Sequence, residues 1–103
     1  MSTEAPNEII HQSTRLKIMA TLQASRSGEP LEFVQLKALT GVTDGNLGTH
    51  LTTLEKAGYI TVEKDFVGRK PRTRIAITRA GRRAFESHVA YLRDTLDGMH
   101  PAD

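Results

Sequence analysis

Apolar residues recur at helical spacing early in the chain. Leu16, Met19, Ala20 and Gln23, joined by Ile18 and Leu22, define a broad face, and Ser13 is placed to cap a helix beginning at Thr14. Ser25 to Pro30 reads as a loop, and Leu31-Glu32 as a very short strand. Phe33, Leu36 and Leu39 return at helical spacing over 33–40, with Gly41 set to stop that helix in a left-handed conformation. Thr43 is a second N-cap candidate, and Asp44 follows where a helix dipole favours negative charge. The helix over 44–56 points Leu47, Leu51 and Leu54 inward and Asn46, Thr49, His50, Thr52, Thr53 and Lys56 outward.

After Gly58 the period changes to two. Ile60, Val62 and Phe66 fall on one side of a strand, with Thr61, Glu63 and Asp65 on the other. A returning strand turns Thr73, Ile75 and Ile77 inward and shares Arg72 and Arg74 on its outward face. Between the strands, Val67 to Pro71 reads as a hairpin turn, with Pro71 confining that end to an edge. Thr78 can cap a last helix running towards Leu96, and Gly98 and Pro101 end its pattern. Phe85, Val89, Leu92 and Leu96 are spaced 4, 3 and 4 apart, the spacing of a short coiled-coil seam.

Composition adds bounds. A chain of 103 residues suits one small domain, here 9–97, between tails at 1–8 and 98–103; residues 78–97 form the long last helix. No cysteine is present, so disulfide frameworks, cysteine metal sites and thiol nucleophiles are excluded. The first eight residues resemble neither a signal peptide nor a membrane span, and the expected location is cytoplasmic. A formal charge of +2 argues for nothing, but its distribution does. Arg69, Lys70, Arg72, Arg74, Arg79, Arg82 and Arg83 lie within 69–83 without an acid among them, half of the chain's fourteen lysines and arginines.

Helix, short helix, tight turn, polar-faced helix, hairpin and long helix is the order of a winged helix-turn-helix, an α+β, mostly α fold: a three-helix core, a two-stranded wing and a C-terminal dimerisation helix. The motifs support it: His11 to Ile18, Leu36 to Leu39, Thr43 to Leu47 with His50-Leu51, Leu54 to Ile60, Gly68 to Thr73 and Thr78 to Gly81. Together they resemble small prokaryotic winged-helix transcriptional regulators related to the MarR and ArsR groups. The resemblance implies a homodimer on double-stranded DNA, with the 43–56 helix in the major groove and the 67–72 wing on phosphate or minor groove. A small hydroxyl residue followed by a basic one is frequent in the family where this chain has Gly48-Thr49. Gly45 and Gly48 each cost that helix about 1 kcal/mol relative to alanine, either to admit the DNA backbone or to leave the first turn soft.

The candidate DNA contacts are therefore Thr43, Asn46, Thr49, His50, Thr53 and Lys56 on the helix, and Arg69, Lys70, Arg72 and Arg74 on the wing. Asn46 leads, since its amide can pair bidentately with adenine. Arg82 and Arg83 are weaker candidates, with Glu86 in reach on their own helix. Ile9, Ile10, Phe85, Val89, Leu92 and Leu96 are the candidate dimer interface, and packing on the chain's own first helix is the alternative for the last four. His11, His50, His88 and His100 lack ligand spacing and a carboxylate cluster, so neither a metal nor any other cofactor is expected. Nor is there a catalytic constellation. The rival reading is a winged-helix protein-interaction module, against which the basic wing counts. An effector between the first and last helices stays open.

Overall fold

The computed structural model describes residues 5–25 and 28–98. Its elements run α1 (Ser13–Gln23), β1 (Leu31–Glu32), α2 (Phe33–Thr40), α3 (Asp44–Lys56), β2 (Ile60–Val67), β3 (Lys70–Ile77) and α4 (Arg79–Asp97). Helices α1, α3 and α4 each begin on a side chain that satisfies an orphan amide. The Gln12 side chain accepts from the Arg15 N–H at 2.9 Å, so the cap of α1 lies one residue before Ser13. Thr43 accepts from Asn46 N–H at 3.4 Å, and Thr78 accepts from Gly81 N–H at 2.9 Å. Gln35 reaches back to the N–H of Glu32 at 2.9 Å, ahead of α2.

Helices α2 and α3 meet through a three-residue turn held from several sides. Gly41 adopts φ 72° and donates its N–H to the Lys37 carbonyl at 2.8 Å. Lys37 pairs with Asp44 at 2.7 Å across the turn, and Lys17 from α1 donates to the Thr40 carbonyl at 3.2 Å. The core collects Ile10, Ile18, Met19, Leu22, Leu36, Leu47, Leu51, Leu54, Ile60 and Ile75. Leu39, expected inward, is exposed. A three-residue step drifts 60° around a helix, so Leu39 rotates away while Thr40, four residues after Leu36, is buried in its place.

The sheet is ordered β1-β3-β2 and antiparallel throughout. β1 pairs only with Ile75 and Arg74, so β3 beyond them has one open edge. Val67 faces Lys70 in register, which narrows the turn to Gly68-Arg69, with Gly68 at φ 63°. Pro71 thus lies inside β3 rather than in the turn, on the stretch whose far edge is unpaired. Phe66 is on the inner face as its parity requires, but it lies past the reach of α3 and is exposed.

Of the amino-terminal tail expected over residues 1–8, residues 1–4 lie outside the described residues, and Asn7 is bound into the fold. Asn7 Oδ1 accepts the N–H groups of Ile9 and Ile10, both at 3.0 Å, and the Asn7 amide donates to the Tyr59 hydroxyl at 2.9 Å. That turn feeds Ile10 into the chain's own core, where it is fully buried. Ile10 is therefore not available as a dimer contact, and Ile9 packs against the same core. Gly98 closes α4 through its N–H on the Asp94 carbonyl at 2.9 Å; the rest of the expected C-terminal tail, with Pro101 and His100, lies outside the described residues. No described helix is long and apolar enough to cross a membrane.

Candidate nucleic-acid interface

Opposite its buried stripe, α3 presents a polar surface that divides into three strips at 100° per residue. Gly45, Thr49, Thr52 and Lys56 form the crest, all exposed. Asn46, His50 and Thr53 lie on the flank towards α1, and Gly48 and Glu55 on the flank towards the wing. Asn46, in the first turn, is exposed, and among the described residues no hydrogen bond engages its side-chain amide. Both its donor and its acceptor are thus left without a partner among the described residues, as bidentate reading of a base requires.

The threonines are partly committed. Thr49, Thr52 and Thr53 donate their hydroxyls to the carbonyls of Gly45, Gly48 and Thr49 at 3.0, 3.0 and 3.3 Å. What they offer outward is therefore acceptor lone pairs and methyl groups. Thr43 is occupied as the helix cap.

His50 has a partner that its sequence position did not reveal. Arg15 of α1 lies 3.1 Å from His50 Nδ1 and also bonds the Ile9 carbonyl. A guanidinium only donates, so Nδ1 accepts and the imidazole proton sits on Nε2. Burial, and secondarily the Arg15 charge, hold His50 below its ordinary pKa. The side chain is thus a neutral N–H donor fixed by α1. Nothing in the local pattern around Arg15 signals this contact, which spans 35 residues of sequence.

The wing separates its cations into two pairs. Arg69 and Lys70, at and beside the turn, are exposed and make no ion pair among the described residues. Arg72 and Arg74 are instead held by acids on β2. Arg72 forms two bonds to Asp65, its register partner, at 2.9 and 2.7 Å; Arg74 reaches Glu63 at 3.4 Å and Asp65 at 3.2 Å. Of the acid-free run seen along the chain, Arg72 and Arg74 are thus neutralised across the hairpin. Arg82 turns to Gln23 of α1, 3.2 Å away, rather than to Glu86.

Between α3 and the wing lies a cleft of about 640 Å³, lined by Phe33, Gly48, Leu51, Thr52, Glu55, Val62, Lys64 and Thr73. A Cβ added to Gly48 or Gly45 would meet no protein atom within 4 Å, so neither glycine is needed for packing. On α4, Phe85 packs on the core, Val89 and Leu92 are half-buried, and Leu96 is exposed. His88 is fully buried, accepting the Asn7 N–H at Nδ1 (3.1 Å), edge-on to His11 and stacked on Tyr91. No group of three or more histidines and carboxylates among the described residues is arranged to hold a metal.

Comparison with known proteins agrees with this geometry. Residues 14–96 match the model of a family described as the winged helix DNA-binding domain. An uncharacterized protein of Methanocaldococcus jannaschii is 37% identical over 82 residues, which cover 80% of this chain and 86% of that protein. A solved structure described as a transcriptional regulator homologue from Pyrococcus horikoshii OT3 superposes with TM-score 0.83 at 29% identity, over 92% of this chain and 91% of the other. A MarR family transcriptional regulator from Silicibacter pomeroyi shares the fold, with TM-score 0.65 at 24% identity over 84% of this chain and 55% of its own length. The chain belongs to the winged helix DNA-binding domain family.

Proposed function

We propose that this chain regulates transcription as a homodimer that reads an inverted repeat in double-stranded DNA, with α3 in the major groove and the wing on phosphate or minor groove. The observation that carries the reading is the exposed, uncommitted amide of Asn46 in the first turn of a capped helix whose outer surface is otherwise small and polar. Around it, Thr49, Thr53 and neutral His50 supply acceptors, methyls and one oriented N–H, which suit base edges. Lys56, Arg69 and Lys70 supply charge for phosphates. Arg72 and Arg74 contribute less, because Asp65 and Glu63 already balance them. Two copies joined along α4 would set their α3 helices one DNA turn apart, about 34 Å.

The deciding experiment is fluorescence anisotropy with random duplex and with the DNA upstream of the protein's own coding region, over a range of salt. Tight binding with a steep salt slope and preference for the upstream DNA is the expected result. Absence of binding to either duplex at low salt would replace the reading with that of a protein-interaction module.

A further inference from the structure

The inner face of the sheet does not stop where α3 stops covering it. Along β2 that face carries Ile60, Val62, Lys64 and Phe66, opposed in register by Ile77, Ile75, Thr73 and Pro71 on β3. The face grades outward. Ile60 and Ile75 are core, while Val62, Lys64 and Thr73 wall the cleft beside α3. Phe66 and Pro71 lie beyond it, with Phe66 71% exposed.

The fold gains nothing from an aromatic there. Burying a phenylalanine stabilises a chain, and this one forgoes most of that gain. Exposed apolar surface near a strand edge also invites association unless charge guards it. Here the guard is entirely positive: Lys64 precedes Phe66 on the same face, and Arg69 and Lys70 follow at the turn, none of them in an ion pair among the described residues. Two such wings laid face to face would bring six cations together, which disfavours a second copy as the occupant.

Charge and shape match instead a polyanion with apolar surface between its charges. We propose that Phe66 and Pro71 form a pad for the deoxyribose edge of a DNA strand, with Lys64, Arg69 and Lys70 on the flanking phosphates. This rests on the DNA-binding reading above and adds a contact to it. Phe66 stands out from the sheet face rather than along the wing's axis, so it lies flat on sugars and does not wedge between base pairs. The same strand continues through the cleft, where the absent side chain of Gly48 leaves room and Glu55 is the one acid lining the wall.

The test compares wild type with Phe66→Ala and Phe66→Leu on the upstream duplex, by anisotropy across salt and by hydroxyl-radical footprinting, which reports sugar accessibility. Phe66→Ala is expected to weaken binding about fivefold at every salt concentration, since an apolar contact of this size releases no counterions. Protection should vanish at sugars flanking the α3 footprint and persist at its centre, and Phe66→Leu should recover most of the affinity. Unchanged affinity and unchanged sugar protection in Phe66→Ala would overturn the pad while leaving the DNA reading intact. So would a change confined to sedimentation, which would assign Phe66 to self-association. Failure of wild type to bind any duplex would overturn both, and wild-type binding separates the two cases.

Discussion

Arg72 sets its guanidinium squarely on the carboxylate of Asp65 across the hairpin, with Nε 2.9 Å from Oδ1 and Nη2 2.7 Å from Oδ2. The hydrogen bonds from Arg72, more than charge alone, hold the Asp65 carboxyl below its usual range, and the same bonds hold Arg72 above its own. Bidentate geometry orients the guanidinium and occupies it. The pair therefore stiffens the wing at the expense of one free cation.

Asp65→Asn should release Arg72. The expected outcome is tighter binding to random duplex at low salt, with a salt slope steeper by about one, as one further phosphate is neutralised. Anisotropy titrations at several salt concentrations measure both. An unchanged slope would place Arg72 away from the DNA.

Asn46→Ala should act differently, by lowering preference for the specific site and leaving random binding nearly unaltered. Loss of one bidentate base contact costs about 1–3 kcal/mol of discrimination, concentrated at one or two base pairs. Competition between the upstream duplex and its single-substitution variants locates them. Equal weakening on all sequences would make Asn46 a phosphate contact.

The glycines divide by what a methyl group would meet. A Cβ on Gly81 would lie 2.1 Å from the Tyr59 carbonyl oxygen and 3.0 Å from Ile77 Cγ1, because the first turn of α4 rests against the backbone that leads into β2. Gly81→Ala should destabilise by about 1–3 kcal/mol despite the better helix propensity of alanine. Gly48→Ala meets nothing and should stabilise by up to about 1 kcal/mol, yet weaken DNA binding if a strand fills the cleft. Urea denaturation and anisotropy on the same preparations compare them.

Much of this could be read along the chain, and the exceptions share a cause. The α2 and α3 limits, the β1 strand, the Thr43 and Thr78 caps and the buried Leu47, Leu51 and Leu54 follow from period and local chemistry. Ion pairing of Arg72 and Arg74 was not legible as a charge run, because the neutralising acids precede the turn and only strand register brings them opposite. Arg15 on His50, and Asn7 on His88 and Tyr59, join residues 35, 81 and 52 apart, beyond any local pattern. Along the chain Ile10 counts as outlying apolar surface beyond the reach of one small core, hence as dimer surface; the turn capped by Asn7 folds it inward.

Acidification should loosen the fold through two histidines. Burial, with a smaller contribution from His11, holds His88 below its ordinary pKa, and His50 is lowered as well. Between the unfolded value of about 6.5 and the lower folded value, the unfolded chain binds protons that the folded chain does not. Stability is thus full above about pH 6.5 and declines as pH falls through that window. Protonated His88 would also lose its acceptor for the Asn7 N–H, beside His11, Tyr91 and Tyr59. Urea midpoints at about pH 8 and 5.5 should differ in wild type, and less in His88→Asn, whose oxygen can still accept from Asn7. An equal shift in both proteins would assign the effect to other groups.

The apolar stripe of α4 outlasts the core it packs on. Phe85 is spent on that core, whereas Val89 and Leu92 are half-buried and Leu96 is 65% exposed. A 19-residue helix whose last turns hold an apolar seam that the described residues cover only in part suits the proposed pairing with its twin about a twofold axis. Leu92→Glu places a charge in that seam without touching the buried cluster around Ile18 and Leu36. Sedimentation should then show monomers with most of the helical circular dichroism retained. DNA affinity should fall steeply as well, because each half-site would bind alone and lose the effective concentration that a tethered second domain supplies. Dimers that survive the substitution would move the interface off the seam; of the other two sequence candidates, Ile10 is enclosed within its own chain, which leaves the half-buried Ile9.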